Sequence, residues 1–259
     1  MKNAQSVKPY YRDSNRAHIS NIERYAQMYK NSVKNPDDFW ATQAERLDWY
    51  KKWDIISDND FTKAKIKWFE GGEINVSYNC LDRHVEAGFG NQIALIWEGN
   101  DPTEDKSYTY SELLDDVSKF ANVLKTNGVQ KGDRICIYMQ MIPELTIAML
   151  ACSRIGAIHS IVFGAFSPDS LRDRINDSKC KMLITQDTGV RGTKSDIPMK
   201  LNADKALIDT PSIEAVVVVK RTGQQVSINP NRDLWWHEQM ATAGSDCPPE
   251  KMDAEDPLF

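Results

Sequence analysis

Residues 134–186 read RICIYMQMIPELTIAMLACSRIGAIHSIVFGAFSPDSLRDRINDSKCKMLITQ, and this stretch decides the fold. Arg134-Ile-Cys-Ile-Tyr-Met139 is a short apolar run, as expected of a strand buried on both faces. Pro143 suits a first helical position, and Glu144 to about Ile155 is apolar on most sides, which predicts a buried helix. Ala157–Val162 reads as the next strand. Ser167-Pro168-Asp169-Ser170 opens a helix through about Ser178, and Lys181–Gln186 is a third strand. This alternation predicts an α/β protein with a mostly parallel β-sheet flanked by helices on both faces.

The pattern extends in both directions. Ile93–Trp97 and Ser107–Thr109 read as strands. Thr109-x-x-Glu112 is a capping box. Its helix sets Leu113, Leu114, Val117, Phe120, Val123 and Leu124 on one stripe and stops at Gly128. Lys131-Gly132-Asp133 is a turn. Downstream, residues 195–209 read as a helix, Glu214–Val219 as a strand and Asp233–Ala241 as a short helix. Pro257-Leu258-Phe259 reads as a strand just beginning.

Residues 1–70 differ. They hold Trp40, Trp49, Trp53 and Trp68 and almost no β-branched runs. Ser20-x-x-Glu23 predicts a capping box for a helix through about Asn31. Asn35-Pro36-Asp37-Asp38 starts a second helix, with Asn as cap and two acids at the positive end of the dipole. These residues read as an N-terminal helical extension whose aromatics pack onto a larger body, residues 71–259.

Among the 259 residues, 32 Lys and Arg face 37 Asp and Glu, a net charge of −5. That excludes the broad basic face a nucleic acid or anionic membrane requires, but leaves room for a small anionic ligand on a local cationic spot. The five cysteines are odd in number and lack C-x-x-C spacing, as in the reducing cytoplasm. The N-terminus has no apolar signal region. The most apolar stretch, residues 142–167, carries Glu144, Arg154 and His159, is broken by Gly156, and is not a membrane span. Asn75-Val76-Ser77 and Asn176-Asp177-Ser178 match the glycosylation pattern by chance.

Several candidate motifs dissolve on inspection. Gly88-Phe89-Gly90 precedes a strand instead of following one and lacks the third glycine of a dinucleotide fingerprint. Cys80, Asp82 and His84 have no second ligand pair at a zinc spacing and read as a turn and helix start. His237-Glu238 lacks a second histidine, and His18 and His159 show no partners in sequence. Two stretches remain open. Phe163-Gly164-Ala165-Phe166-Ser167-Pro168 follows a strand and precedes a helix, where ligands gather in open α/β sheets. Its small residues fit either close approach of a ligand or a tight connection. Arg191-Gly192-Thr193-Lys194 occupies a similar position and offers a guanidinium fork, a freed backbone, a hydroxyl and a point charge. It fits either a phosphate seat or a solvated loop.

Residues 75–99, 108–185, 190–207 and 233–240 together closely resemble the AMP-forming acetyl-CoA synthetases, within the acyl- and aryl-adenylate-forming (ANL) superfamily. Propionyl-CoA synthetases are the nearest alternative, and a non-catalytic CoA-binding or structural module is the reading from another class. The resemblance implies an acetate–CoA ligase that joins acetate to CoA at the expense of ATP, through acetyl-AMP, with Mg2+. It implies that Arg191, Gly192, Thr193 and Lys194 contact the 3′-phosphate end of CoA, with Thr193 where glycine is frequent. It also implies that Gly164 and Ala165 lie near bound CoA, with Ala165 replacing a glycine. No catalytic residue and no metal ligand falls in this chain. The family's ATP-phosphate loop, acyl pocket and C-terminal domain lie past residue 259. The expectation is therefore an incomplete N-terminal domain of the ANL fold, inactive in isolation. Its sheet would be left with an unpaired edge through which the chain self-associates.

Overall fold

The central sheet is built from short runs whose side chains alternate between two cores. The computed structural model describes residues 17–259; the polar N-terminal stretch before them lies outside the described residues. These form two compact units, one comprising the residues through Leu47 with Trp53–Glu70, the other Asp48–Lys52 with Gly71–Phe259.

The first unit holds helices α1 (Ile22–Lys34) and α2 (Pro36–Ala44) and strands β1 (Ile55–Ser57) and β2 (Trp68–Glu70). The α1 cap is Asn21, whose Oδ1 accepts the Arg24 N–H at 2.8 Å, and not Ser20 one residue earlier. Asn35 cannot serve as a side-chain cap for α2, because its side chain instead donates to Asn31 Oδ1 at 3.1 Å and its N–H closes α1. The unit is less purely helical than its composition suggests. β1 and β2 pair antiparallel, and Trp40, Trp68, Phe69 and Trp53 form a chain of edge and tilted ring contacts between 5.1 and 6.2 Å.

The second unit runs β3 (Glu73–Ile74), β4 (Ile93–Glu98), β5 (Asp105–Thr109), α3 (Tyr110–Thr126), β6 (Arg134–Met139), α4 (Pro143–Arg154), β7 (Ile158–Phe163), α5 (Pro168–Ser178), β8 (Met182–Gln186), β9 (Gly189–Arg191), β10 (Lys194–Ile197), α6 (Met199–Ala206), β11 (Ala215–Val219), β12 (Asp233–Trp235), α7 (Trp236–Thr242) and β13 (Met252–Asp253). Five strands form one parallel sheet in the order β12-β11-β8-β6-β7. Ile135, Ile137, Ile184, Val217 and Val219 point into one core with α3, α4 and α7. Cys136, Tyr138, Leu183, Val216 and Val218 point into the other, with α5 and α6. Each such side chain contributes about 1.5–3 kcal/mol by leaving water. The Thr109–Glu112 capping box is present, and the α3 stripe buries Leu113, Val117, Phe120, Val123 and Leu124. Phe120 stacks on Trp236 at 3.8 Å.

Four segments depart from the sequence reading. Residues 194–197 are strand, not helix, because they fold back on 189–191 as a hairpin, and α6 begins only at Met199. Asp233–Trp235 is a three-residue strand beside β11 rather than the start of a helix. β4 and β5 form a separate antiparallel pair and do not join the parallel sheet. Pro257–Phe259 is not a strand; one hydrogen bond, His159 N–H to Leu258 C=O at 3.3 Å, ties it to β7. Asn75 is buried, with its amide on the carbonyls of Ser153, Arg154 and Glu250, so its glycosylation-like spacing is structural. Asp82 receives both guanidinium ends of Arg154 at 2.8 Å, which explains it without a metal. All five cysteines are free, and burial pushes the Cys152 thiol up to about 12.

Candidate ligand-binding site

β6 and β8 are adjacent parallel strands whose following helices cover opposite faces, α4 one core and α6 the other. Such a reversal opens a crevice beyond the carboxyl ends of the strands. Here that crevice is a cavity of about 830 Å³. Its wall takes in Met139–Ile142 after β6, Phe163–Ala165 after β7, Arg191 and Lys194 from the β9–β10 hairpin, Arg221 after β11 and Trp97–Asn100 at the end of β4.

Of the six residues singled out in sequence, Gly164, Ala165, Arg191 and Lys194 line this cavity, while Gly192 and Thr193 form the turn between the two cations. Arg191 and Lys194 face each other across the hairpin, are exposed, and make no ion pair or hydrogen bond with any described side chain. The turn requires positive φ at its first central position, and Gly192 supplies it at +58°. Thr193 does not adopt positive φ, so its side chain imposes no strain on this turn. A Cβ on Gly164 would sit 3.1 Å from Met199 Cε and 3.3 Å from the Met139 carbonyl oxygen, so packing explains that glycine. Ala165 is exposed on the cavity wall.

Several lining residues carry no signal in sequence. Trp97 Nε1 donates to the Met141 carbonyl at 2.8 Å, and the Arg221 guanidinium lies 5.2 Å from the centroid of the Trp97 ring. Arg221 pairs with Glu104 at 2.6 Å, and the hydrogen bond it donates holds the Glu104 carboxyl below its usual range. The backbone that carries Arg221 is anchored by buried Asp187, whose carboxylate accepts N–H groups from Arg221, Thr222 and Gly223 at 2.8–3.2 Å. Asn100 and Gln140 bond to the hairpin backbone. Among the described residues no cluster of three or more His, Cys, Asp or Glu could hold a metal, and no helix is long and apolar enough to cross a membrane.

A family model for "AMP-binding enzyme" matches residues 81–259, and one for "Acetyl-coenzyme A synthetase N-terminus" matches residues 25–80. The chain belongs to the AMP-binding enzyme family. Among similar members, the acetyl-coenzyme A synthetase of Magnetococcus marinus is 55% identical over 98% of this chain and 39% of its own length. The acetyl-coenzyme A synthetase 2 of Pseudomonas putida is 56% identical over 92% of this chain and 36% of its own. The chain thus spans under two-fifths of these AMP-binding enzymes. The acetoacetyl-CoA synthetase from Streptomyces lividans shares the fold, with a TM-score of 0.80 at 24% identity over 90% of this chain and 35% of that one.

Proposed function

We propose that this chain is the N-terminal part of a cytoplasmic AMP-forming acetate–CoA ligase, which converts acetate, ATP and CoA to acetyl-CoA, AMP and diphosphate through acetyl-AMP. In this reading residues 1–70 are the N-terminal extension and residues 71–259 part of the AMP-binding large domain. The chain contributes one wall of the CoA site: Arg191 and Lys194 take the 3′-phosphate, and Gly164 and Ala165 flank the bound nucleotide. The observation that carries this reading is the unpaired state of Arg191 and Lys194 at the rim of the crevice. Two exposed cations free of carboxylates leave all their donors to an incoming phosphate, for which a guanidinium fork is well shaped. Acetyl-coenzyme A synthetases among the relatives support the substrate class. Mg2+ would serve the ATP step, and the described residues offer no ligand cluster for it.

Titration calorimetry of the 259-residue chain with CoA and with 3′-dephospho-CoA tests this. CoA should bind more tightly, and Arg191→Ala should cost about tenfold or more in CoA affinity, the worth of a charge-assisted hydrogen bond, with little change for dephospho-CoA. Equal binding of the two ligands overturns the phosphate seat. The same polypeptide should release no AMP from acetate, ATP and CoA; turnover would contradict the reading that it is one wall of a larger site.

We further infer self-association through the outer edge of β7. Among the described residues that strand has a sheet neighbour on one side only, with the Leu258 carbonyl meeting its other side at the His159 N–H, and Ile161 and Phe163 along it are 45% and 64% exposed. Such edges invite pairing with another chain. Light scattering should report dimers or larger species, and a monodisperse monomer counts against the inference.

A further inference from the structure

Among the described residues strands β9 and β10 pair only with each other, and an isolated two-stranded hairpin is marginal in water. Something else must therefore hold the turn that carries Arg191 and Lys194. Along the free side of β9, Val190 and Gly192 each turn an N–H and a C=O outward. Gln140 answers the first: its Oε1 accepts the Val190 N–H at 2.8 Å and its Nε2 donates to the Val190 C=O at 3.1 Å. Asn100 answers the second: its Oδ1 accepts the Gly192 N–H at 2.7 Å and its Nδ2 donates to the Gly192 C=O at 2.8 Å. A side-chain amide presents one acceptor and two donors, so each can imitate the paired N–H and C=O of a strand residue. Two amides from separate elements thus stand where a third strand would lie.

Both seats are built for this. A Cβ on Gly189 would fall 2.6 Å from Gln140 Oε1, so only glycine leaves room for that amide. Gln186 fixes Gln140 further, accepting its N–H at 2.8 Å and donating to its Oε1 at 3.3 Å. The loop bearing Asn100 is closed by the Gly99 N–H on the Glu104 carbonyl at 2.6 Å, and Glu104 is tied to Arg221. A Cβ on Gly99 would strike that Glu104 carbonyl at 2.6 Å. The neutrality of the clamps matters. A carboxylate in either place could not donate to the Val190 or Gly192 carbonyl, and it would compete with a phosphate for the two cations.

We propose that Asn100 and Gln140 are positioning residues that fix the Arg191–Lys194 turn for a phosphate while leaving both cations unneutralised; this rests on the CoA reading above. Amide exchange and calorimetry on the 259-residue chain test it through Asn100→Ala, Gln140→Ala and Gly189→Ala, the last displacing Gln140 without removing it. Gly192 should exchange about tenfold faster or more in Asn100→Ala, and Val190 likewise in the other two, as an opened hydrogen bond allows. CoA affinity should fall about tenfold and dephospho-CoA affinity less than about twofold, the loss of roughly one well-formed interaction at the phosphate alone. The amides of Ile137 and Ile184 in the central sheet should stay protected. General loss of that protection, or unchanged exchange at Val190 and Gly192, overturns the proposal. Faster exchange with an unchanged ratio of CoA to dephospho-CoA affinity overturns positioning and leaves the CoA reading standing. No discrimination between the ligands by the unaltered chain removes both.

Discussion

Lys194 and Lys200 stand six residues apart and have opposite fates. Lys194 is exposed at the hairpin tip, opposite Arg191, with no carboxylate partner among the described residues. The Lys200 side chain is 1% exposed and meets Asp204 at 2.7 Å, Asp233 at 2.8 Å and the Ser227 carbonyl at 2.9 Å. Arg232 completes that network, bonding Asp204 at 2.8 Å and Asp233 at 2.7 Å. Burial by itself would raise the Asp233 pKa, yet hydrogen bonds from Arg232 and Lys200 win and hold it below the usual carboxylate value. A cation enclosed by carboxylates is spent on architecture. A cation whose backbone is held by neutral amides remains available to an anion.

The sharpest way to break this contrast is to remove each charge in turn. Lys200→Met removes one of the two cations that meet Asp204 and Asp233, the second of these fully buried, and should cost about 3–5 kcal/mol in urea unfolding, as loss of one partner of a buried pair does. Lys194→Met should change stability by less than about 0.5 kcal/mol, as at an unconstrained surface site, yet weaken CoA relative to dephospho-CoA. Equal stability losses in the two variants would dissolve the distinction.

A second test uses pH. His159 on β7 is 4% exposed, its Nδ1 has no hydrogen-bond partner among the described residues, and desolvation pushes its pKa below the ordinary 6.5. Below about pH 6.5 the unfolded chain takes up a proton that the folded chain refuses. Stability should therefore fall as pH drops through that value, by no more than about 1.4 kcal/mol per pH unit for one proton, and level off once the folded form also protonates. His159→Met should flatten this segment of the profile. The Asp233 term has the same sign but begins only near its ordinary 3.8 and below, so the two are separable. An unchanged slope in His159→Met would assign the loss elsewhere.

The sheet was readable because its determinants are local. Ile135, Ile137, Val217 and Val219 belong to runs in which nearly every residue is apolar, and the helices between them carry their own caps and stripes. The cations were visible as residue types, but their freedom was not, since it depends on which carboxylates lie nearby in space. β10 reads Lys-Ser-Asp-Ile, without apolar alternation, and it is a strand only because β9 lies beside it. β9 in turn rests on amides from positions 100 and 140, distant in sequence by 92 and 50 residues. Asn100 and Gln140 look like any other amides in polar loops. Only the close approach coded in Gly99 and Gly189 hinted at crowding there, and a single sequence does not separate such glycines from ordinary turn residues.

The smallest predicted effects lie in the turn itself, where the contrast becomes a matter of backbone angles. A Cβ at Gly192 would meet nothing within 4 Å, so space does not oppose Gly192→Ala; its φ of +58° does. That substitution should cost on the order of 1 kcal/mol through strain at left-handed φ, and it should disturb the spacing of Arg191 and Lys194. Thr193→Gly makes the opposite change at a position without positive φ. It should lower stability by only about 0.5–1 kcal/mol through added freedom in the unfolded chain and leave the ratio of CoA to dephospho-CoA affinity intact. If Thr193→Gly tightens CoA instead, the threonine hydroxyl or its bulk obstructs the phosphate seat. In that case the two cations would be arranged less favourably for phosphate than their unpaired state suggests.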